Sequence, residues 1–174
     1  VGARVQPTWD ALLDRLDGLE APILLLLDGI EDPRNLGAII RSAEAFGVEA
    51  VVLPRDRSAP LSGVAVKASA GAAERVDVIR VTNLARAMNE LKEYGVRVIG
   101  LDGEAGATLQ DGTWRGALAW VLGSEGQGLR RLTRERCDAV VAIPMAGGVG
   151  SLNVATAAGI ALYETRRGRA AIGE

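Results

Sequence analysis

Ile23-Leu24-Leu25-Leu26-Leu27 is an unbroken aliphatic run that ends on Asp28-Gly29 and is followed by Ile30-Glu31-Asp32-Pro33-Arg34-Asn35-Leu36-Gly37-Ala38-Ile39-Ile40-Arg41. A short apolar run with no polar alternation is expected of a strand buried on both faces of a parallel sheet. The second stretch has the i, i+3, i+4 spacing of a helix, with Gly47 as a left-handed stop. Strand, loop and helix in this order make the first unit of an α/β fold.

The same alternation continues outward from this unit. Strands are expected at Ala50–Leu53, Val76–Val81, Val96–Leu101, Ala117–Leu122 and Ala139–Ile143. Between them lie a short helix at Leu61–Ala70, an amphipathic one at Asn83–Tyr94 closed by Gly95, and a basic one at Leu129–Arg136. Asp102–Gly112 reads as a polar, Gly-rich excursion, and Ser151–Arg167 as the closing helix. Upstream, Thr8 can cap a short helix carrying Leu12, Leu13 and Leu16, and Glu20-Ala21-Pro22 reads as a linker. The expected class is α/β, with a mainly parallel sheet flanked by helices. Residues 1–21 are expected to be a linker or N-terminal extension, and 22–174 the main domain.

Composition narrows the chemistry. The 174 residues are 48% hydrophobic and suit one domain with an ample core. No apolar run approaches the roughly 18 residues of a membrane span, and Val1–Gly18 lacks the basic-then-apolar order of a signal peptide. Cys137 is the only cysteine, which suits a reducing cytoplasm. There is no histidine, so Ser-His-Asp and Cys-His catalysis are excluded and a zinc site is not expected; no metal is called for. The net charge of -2 is not that of a bulk polyanion binder. Of the 20 basic residues only Lys67 and Lys92 are lysines. That bias fits genome base composition, and also bidentate phosphate contact, which arginine makes better than lysine. At 3% aromatic content, a base-stacking platform is disfavoured.

In open parallel sheets, ligands sit beyond the carboxyl ends of the strands. Three of the loops there are unusual. In the first, Asn35 is placed to cap its helix and Gly37-Ala38 keep the first turn thin, which suits an anionic ligand at the helix start; alone, this segment is better read as a capped helix with a surface Arg41. The second is Leu122-Gly123-Ser124-Glu125-Gly126-Gln127-Gly128, which is neither GxGxxG nor a P-loop. It suits close backbone approach to a cationic or hydroxyl-rich ligand, or simply a tight turn with a solvated Glu125. The third is Ile143-Pro144-Met145-Ala146-Gly147-Gly148-Val149-Gly150-Ser151-Leu152-Asn153-Val154-Ala155. Here Ser151 reads as an N-cap and Asn153 as first-turn, ahead of a small-residue helix that is apolar on most sides and so is expected to be buried on most sides.

Taken together and in order, the three segments resemble the signature motifs of the SpoU-type (SPOUT) RNA ribose 2′-O-methyltransferases, from about Ile23 to Arg167. Pro54–Leu61 and Lys67–Glu74 are most similar to the branch that methylates a guanosine ribose in bacterial 23S ribosomal RNA. The resemblance implies a C-terminal trefoil knot with Gly148–Asn153 threaded through an earlier loop, an obligate homodimer, and S-adenosylmethionine as cofactor. It also implies a small N-terminal RNA-binding domain ahead of Val1. By the same resemblance the cofactor lies on the backbone of Gly123, Ile143 and Leu152, with Leu122, Glu125 and Met145 nearby. The polar active-site positions are Asn35, Arg41, Glu125, Ser151 and Asn153.

In the reaction so implied, a ribose 2′-oxygen attacks the sulfonium methyl. The expectation is that Arg41, held by Asn35 and Glu125, stabilises the forming alkoxide while Ser151 and Asn153 orient the nucleotide. Arg55, Arg57, Arg130 and Arg131, with Arg134 and Arg136, are candidates for an RNA-facing patch, although each also fits a solvated, salt-bridged face. Three other readings remain open: a transfer-RNA methyltransferase of the same family, a non-catalytic RNA-binding or ribosome-assembly protein on this fold, and an NAD-binding reductase. The missing GxGxxG after the first strand counts against the last.

Overall fold

The computed structural model describes residues 4–174, so residues 1–3 of the expected N-terminal extension lie outside it. Seven strands form one sheet: β1 (Ile23–Asp28), β2 (Ala50–Pro54), β3 (Asp77–Val81), β4 (Arg97–Leu101), β5 (Ala107–Thr108), β6 (Leu118–Gly123) and β7 (Ala139–Ala142). Their order is β3-β2-β1-β6-β4-β7-β5, and every pairing is parallel. The helices are α1 (Trp9–Leu16), α2 (Pro33–Ala45), α3 (Gly63–Ala68), α4 (Leu84–Glu93), α5 (Arg131–Arg136) and α6 (Val154–Ala171).

The aliphatic run of β1 explains the two-sided burial. Ile23, Leu25 and Leu27 point into one core with Leu36, Ile39 and Ile40 of α2 and Ala158, Ala161 and Leu162 of α6. Leu24 and Leu26 point into a second core with Leu84, Met88 and Leu91 of α4. Leu12, Leu13 and Leu16 of α1 complete that second core, so α1 is docked on the sheet. On the first face Gly37 is required by contact: a Cβ there would overlap the carbonyl oxygen of Ala65, and α2 could not lie as close to α3.

Register brings the functional loops to one level. Asp28 pairs with Gly123, Leu122 with Leu101, and Leu101 with Val141. The carboxyl ends of β1, β6, β4 and β7 therefore finish side by side. The chain builds β2 and β3 to one side of β1 and then crosses to β4 on the other. That places the reversal of strand order, where open α/β sheets bind ligands, beneath these loops.

Several local expectations need correction. Helix α2, expected from Asn35, starts at Pro33, capped by Asp32, whose carboxylate accepts from Arg34 N–H at 2.8 Å. Proline at the first helical position has no N–H to lose, so the start moves ahead of Asn35. The closing helix is capped by Asn153 and not by Ser151, because the glycine-rich segment stays irregular through Leu152. It also runs on to Ala171, and it is not buried on most sides: Ile160 and Tyr163 are exposed along one face. Strand β5 and the short 3-10 turn at Leu109–Asp111 fall inside the stretch expected to be only a loop.

The extra turn of α6 carries Arg169, which is only 2% exposed. Its guanidinium donates to Trp114 O at 2.9 Å, Ala21 O at 2.6 Å and Gly116 O, tying the C-terminus to the approaches of β1 and β6. Burial pushes its pKa below the ordinary arginine value. Nearby, buried Trp120 donates its indole N–H to Thr165 Oγ1 at 3.0 Å, and Trp114 meets Trp120 edge-on at 4.9 Å. Among the described residues no helix is long and apolar enough to cross a membrane.

Candidate active site

The loops after β1 and β6 and the segment before α6 meet at Asn153. Its amide nitrogen has two hydrogens and donates to Asn35 Oδ1 at 3.0 Å and to Glu125 Oε1 at 2.7 Å. Its amide oxygen accepts from Ala155 N–H at 2.9 Å and Thr156 N–H at 3.2 Å. All of the amide's bonding capacity is thus used, which fixes the side chain. Glu125 Oε1 also accepts from Val154 N–H at 3.4 Å, so the carboxylate sits at the positive end of α6. Three residues from three separate segments, Asn35 in the first turn of α2, Glu125 in the loop after β6 and Asn153 at the cap of α6, form one polar cluster.

Beside this cluster lies a cavity of about 180 Å³. Its walls include Leu122, Gly123, Glu125, Ile143, Met145 and Leu152, and also Ser151. Gly123 is dictated by space: a Cβ would run into the carbonyl of Gly128, because the loop folds back on itself through an antiparallel Ser124–Gly128 bridge. Gly126 and Gly128 take positive φ values of 80° and 67°, which glycine adopts without strain. The backbone of this loop forms one side of the cavity, with Leu122, Ile143 and Leu152 supplying apolar surface.

Arg41 is not part of the cluster. It projects exposed from α2, lines no part of the cavity, and has no hydrogen-bond or ion-pair partner among the described residues. The expected grip of Asn35 and Glu125 on Arg41 is absent among the described residues; Asn35 Oδ1 and Glu125 Oε1 accept from Asn153 instead. Ser151 is exposed at the cavity mouth.

The candidate RNA-facing arginines separate into two groups. Arg55, Arg57 and Arg131 are exposed; Arg131 faces Glu135 only at 4.0 Å. Arg130 is paired with the buried carboxylate of Asp28: its Nε donates to Asp28 Oδ2 at 3.1 Å while Nη2 donates to Oδ1. Thr133 Oγ1 donates to the same carboxylate at 2.6 Å. Arg134 likewise donates to Asp102 Oδ2 at 2.7 Å. These two pairs clamp the start of α5 against the ends of β1 and β4, and so brace the glycine loop that precedes it. Sequence reasoning missed Asp28, although a carboxylate closing a buried strand is itself a signal that a cation or hydroxyl must meet it.

A seven-stranded parallel sheet, a cavity at its strand-order reversal and a polar cluster beside that cavity define an α/β enzyme-type ligand site. The chain matches the SpoU rRNA Methylase family over residues 22–163 and belongs to it. It is 54% identical over 154 residues to the 23S rRNA (guanosine-2′-O-)-methyltransferase RlmB of Yersinia pestis, covering 88% of this chain and 63% of that one. With the RlmB of Escherichia coli it shares 53% identity over 171 residues, 96% of this chain and 70% of the relative. Its fold is similar to the SpoU methyltransferase AviRb from Streptomyces viridochromogenes in complex with AdoMet, with a TM-score of 0.84 at 30% identity, covering 91% of this chain and 65% of that chain. The chain thus spans about two thirds of the length of these relatives.

Proposed function

We propose that this chain transfers a methyl group from S-adenosylmethionine to the ribose 2′-hydroxyl of a guanosine in 23S ribosomal RNA. One observation carries this reading: the cavity walled by Leu122, Gly123, Ile143, Met145 and Leu152 adjoins the Asn35–Asn153–Glu125 cluster. A family relative at 53% identity is a 23S rRNA (guanosine-2′-O-)-methyltransferase, and a structural relative is an AdoMet complex.

The residues present fit that cofactor. Backbone of the glycine loop and of Ile143 and Leu152 would hold it, with Leu122 and Met145 as apolar cover and Glu125 at the polar edge. When bound, S-adenosylmethionine supplies a methyl already activated by its sulfonium. The protein's task is therefore to present the 2′-oxygen, a weak nucleophile while it keeps its proton. Asn153, locked by Asn35 and Glu125, and Ser151 at the mouth orient the ribose. Arg41 grips the neighbouring phosphate and stabilises the alkoxide. Guanidinium does not deprotonate in this range, so the proton goes to phosphate oxygen or to water. Positioning of this kind contributes on the order of 7 kcal/mol to rate enhancements.

Exposed Arg55, Arg57 and Arg131 suit contact with the RNA backbone in an otherwise acidic chain. The working unit is a cytoplasmic homodimer. Ile160 and Tyr163, the latter 59% exposed, support an apolar contact between α6 helices. A knotted C-terminus is consistent with the close run of Gly103, in the β4–β5 loop, beside the Gly150 carbonyl.

The test is incubation of the chain with a 23S rRNA transcript and methyl-labelled S-adenosylmethionine, followed by mass mapping of ribose methylation. Label on a guanosine 2′-oxygen is the expected result. Cofactor binding without transfer to any RNA would overturn the enzymatic reading.

A further inference from the structure

The cavity has a second polar end, at the tip of β4, that methyl transfer does not use. There Asp102 N–H donates to Val141 O at 3.0 Å, and Ala105 N–H to Asp102 O at 3.1 Å, which fixes the turn. Asp102 is fully engaged: Oδ1 accepts from Glu104 N–H at 3.0 Å and Oδ2 from Arg134. Glu104 differs. The residue lines the cavity and is exposed, and its carboxylate has no hydrogen-bond or ion-pair partner among the described residues. The remaining carboxylate of the wall, Glu125, is already held by Asn153 and Val154 N–H, and no Lys or Arg among the described residues lines the cavity.

Strand order sets the direction in which a ligand must lie. Across β1-β6-β4, Asn35 follows β1, Glu125 follows β6 and Glu104 follows β4. The reacting cluster is thus at the β1–β6 side and Glu104 on the far side of β6. On the cofactor reading above, the methyl group lies toward Asn35 and Asn153, so the nucleoside half extends toward β4. The strongest donors on that half are the two adjacent ribose hydroxyls. A carboxylate offers two acceptor oxygens to such a pair, and an acidic side chain beyond a strand end meets a cofactor ribose in the same manner in dinucleotide-binding folds.

The geometry points to Glu104 as the residue that accepts hydrogen bonds from the cofactor's ribose hydroxyls, and so selects a ribonucleoside cofactor. Calorimetric titration of the full chain and of Glu104→Gln and Glu104→Ala tests this, using S-adenosylmethionine, S-adenosylhomocysteine and 2′,3′-dideoxy-S-adenosylhomocysteine. Both variants should bind the two natural compounds about 10- to 100-fold more weakly, as for a lost charged hydrogen bond. The dideoxy compound should bind all three proteins equally. If it loses the same factor in the variants, Glu104 contacts another group and the assignment is overturned. The assignment fails equally if only S-adenosylmethionine is weakened, because Glu104 then reads the sulfonium charge. An unsubstituted chain that binds neither natural compound removes the cofactor reading itself, before any variant is measured.

Discussion

Asn153 donates an amide hydrogen to Glu125 Oε1 at 2.7 Å, while its own oxygen caps α6 through Ala155 and Thr156 N–H. One side chain therefore has a structural task and a site task, and substitutions can separate them. Asn153→Asp keeps the capping acceptor, so stability should stay within about 0.5 kcal/mol. It loses the donor and sets like charges together at Glu125, and methyl transfer should drop on the order of 10²-fold. Asn153→Ala should lose the cap as well, about 1 kcal/mol. Thermal unfolding and single-turnover methylation on the same preparations separate the two effects. Equal activity in Asn153→Asp and the unsubstituted chain would remove Asn153 from the site.

The ion pair between Arg130 and Asp28 is lopsided: the arginine side chain is 45% exposed, the aspartate 1%. Arg130→Ala leaves a buried carboxylate with Thr133 as its only side-chain partner among the described residues and should destabilise the fold by about 2–3 kcal/mol, the arginine's exposure lessening the full cost of a broken buried pair. Denaturant titration measures this. Arg131→Ala, on an exposed neighbour, should change stability by less than about 0.5 kcal/mol. If instead Arg130→Ala is neutral for stability and weakens RNA binding, Arg130 serves the RNA and not the fold.

The pattern of what could be read from the residues follows from the range of the forces involved. The apolar run of β1 reports its own burial, and glycines packed into one loop report close approach, so the sheet and Gly123 were legible. Asn35, Glu125 and Asn153 were legible as members of three motifs, although their mutual hydrogen bonds, across 118 and 28 residues, were not. The helix starts were displaced because Asp32-Pro33 and Asn153 compete with Asn35 and Ser151 as caps, and only the surrounding chain decides among them. Strand β5 has two residues and exists because β7 offers an edge, which no periodicity can announce. Arg130 read as an RNA-facing or solvated charge, and Arg169 lay beyond the expected end of the closing helix; their acceptors lie far away in the chain, at Asp28, Ala21 and Trp114.

Burial raises the Cys137 thiol to about 11, and Sγ donates to Thr133 O at 3.3 Å. Both effects favour the protonated form, and the thiolate is the reactive species. At pH 8 alkylation by iodoacetamide should be slower than for an unfolded control by roughly two orders of magnitude, following the lower thiolate fraction. The rate should climb as pH rises toward 11. Fast labelling at pH 8 under native conditions, followed by mass spectrometry, would contradict the buried environment.

Arg41 stands apart from both the cluster and the cavity, exposed and without a partner among the described residues. Nothing in the fold depends on it, so Arg41→Ala should leave stability within about 0.5 kcal/mol. Cofactor affinity should also be unchanged, since the cavity wall is formed by other segments. If Arg41 clamps phosphate and alkoxide, Arg41→Ala should slow methyl transfer on the order of 10²–10³-fold, as for loss of one oxyanion donor. Arg41→Lys keeps the charge, loses the two-pronged fork and should retain part of the rate. If Arg41 were the proton acceptor, lysine with its lower pKa would substitute with a rate profile displaced to lower pH. Single-turnover methylation across pH for both variants, with cofactor titrations alongside, decides between these roles. A collapse of cofactor affinity in Arg41→Ala would place the arginine in the cofactor pocket and end its assignment to the ribose.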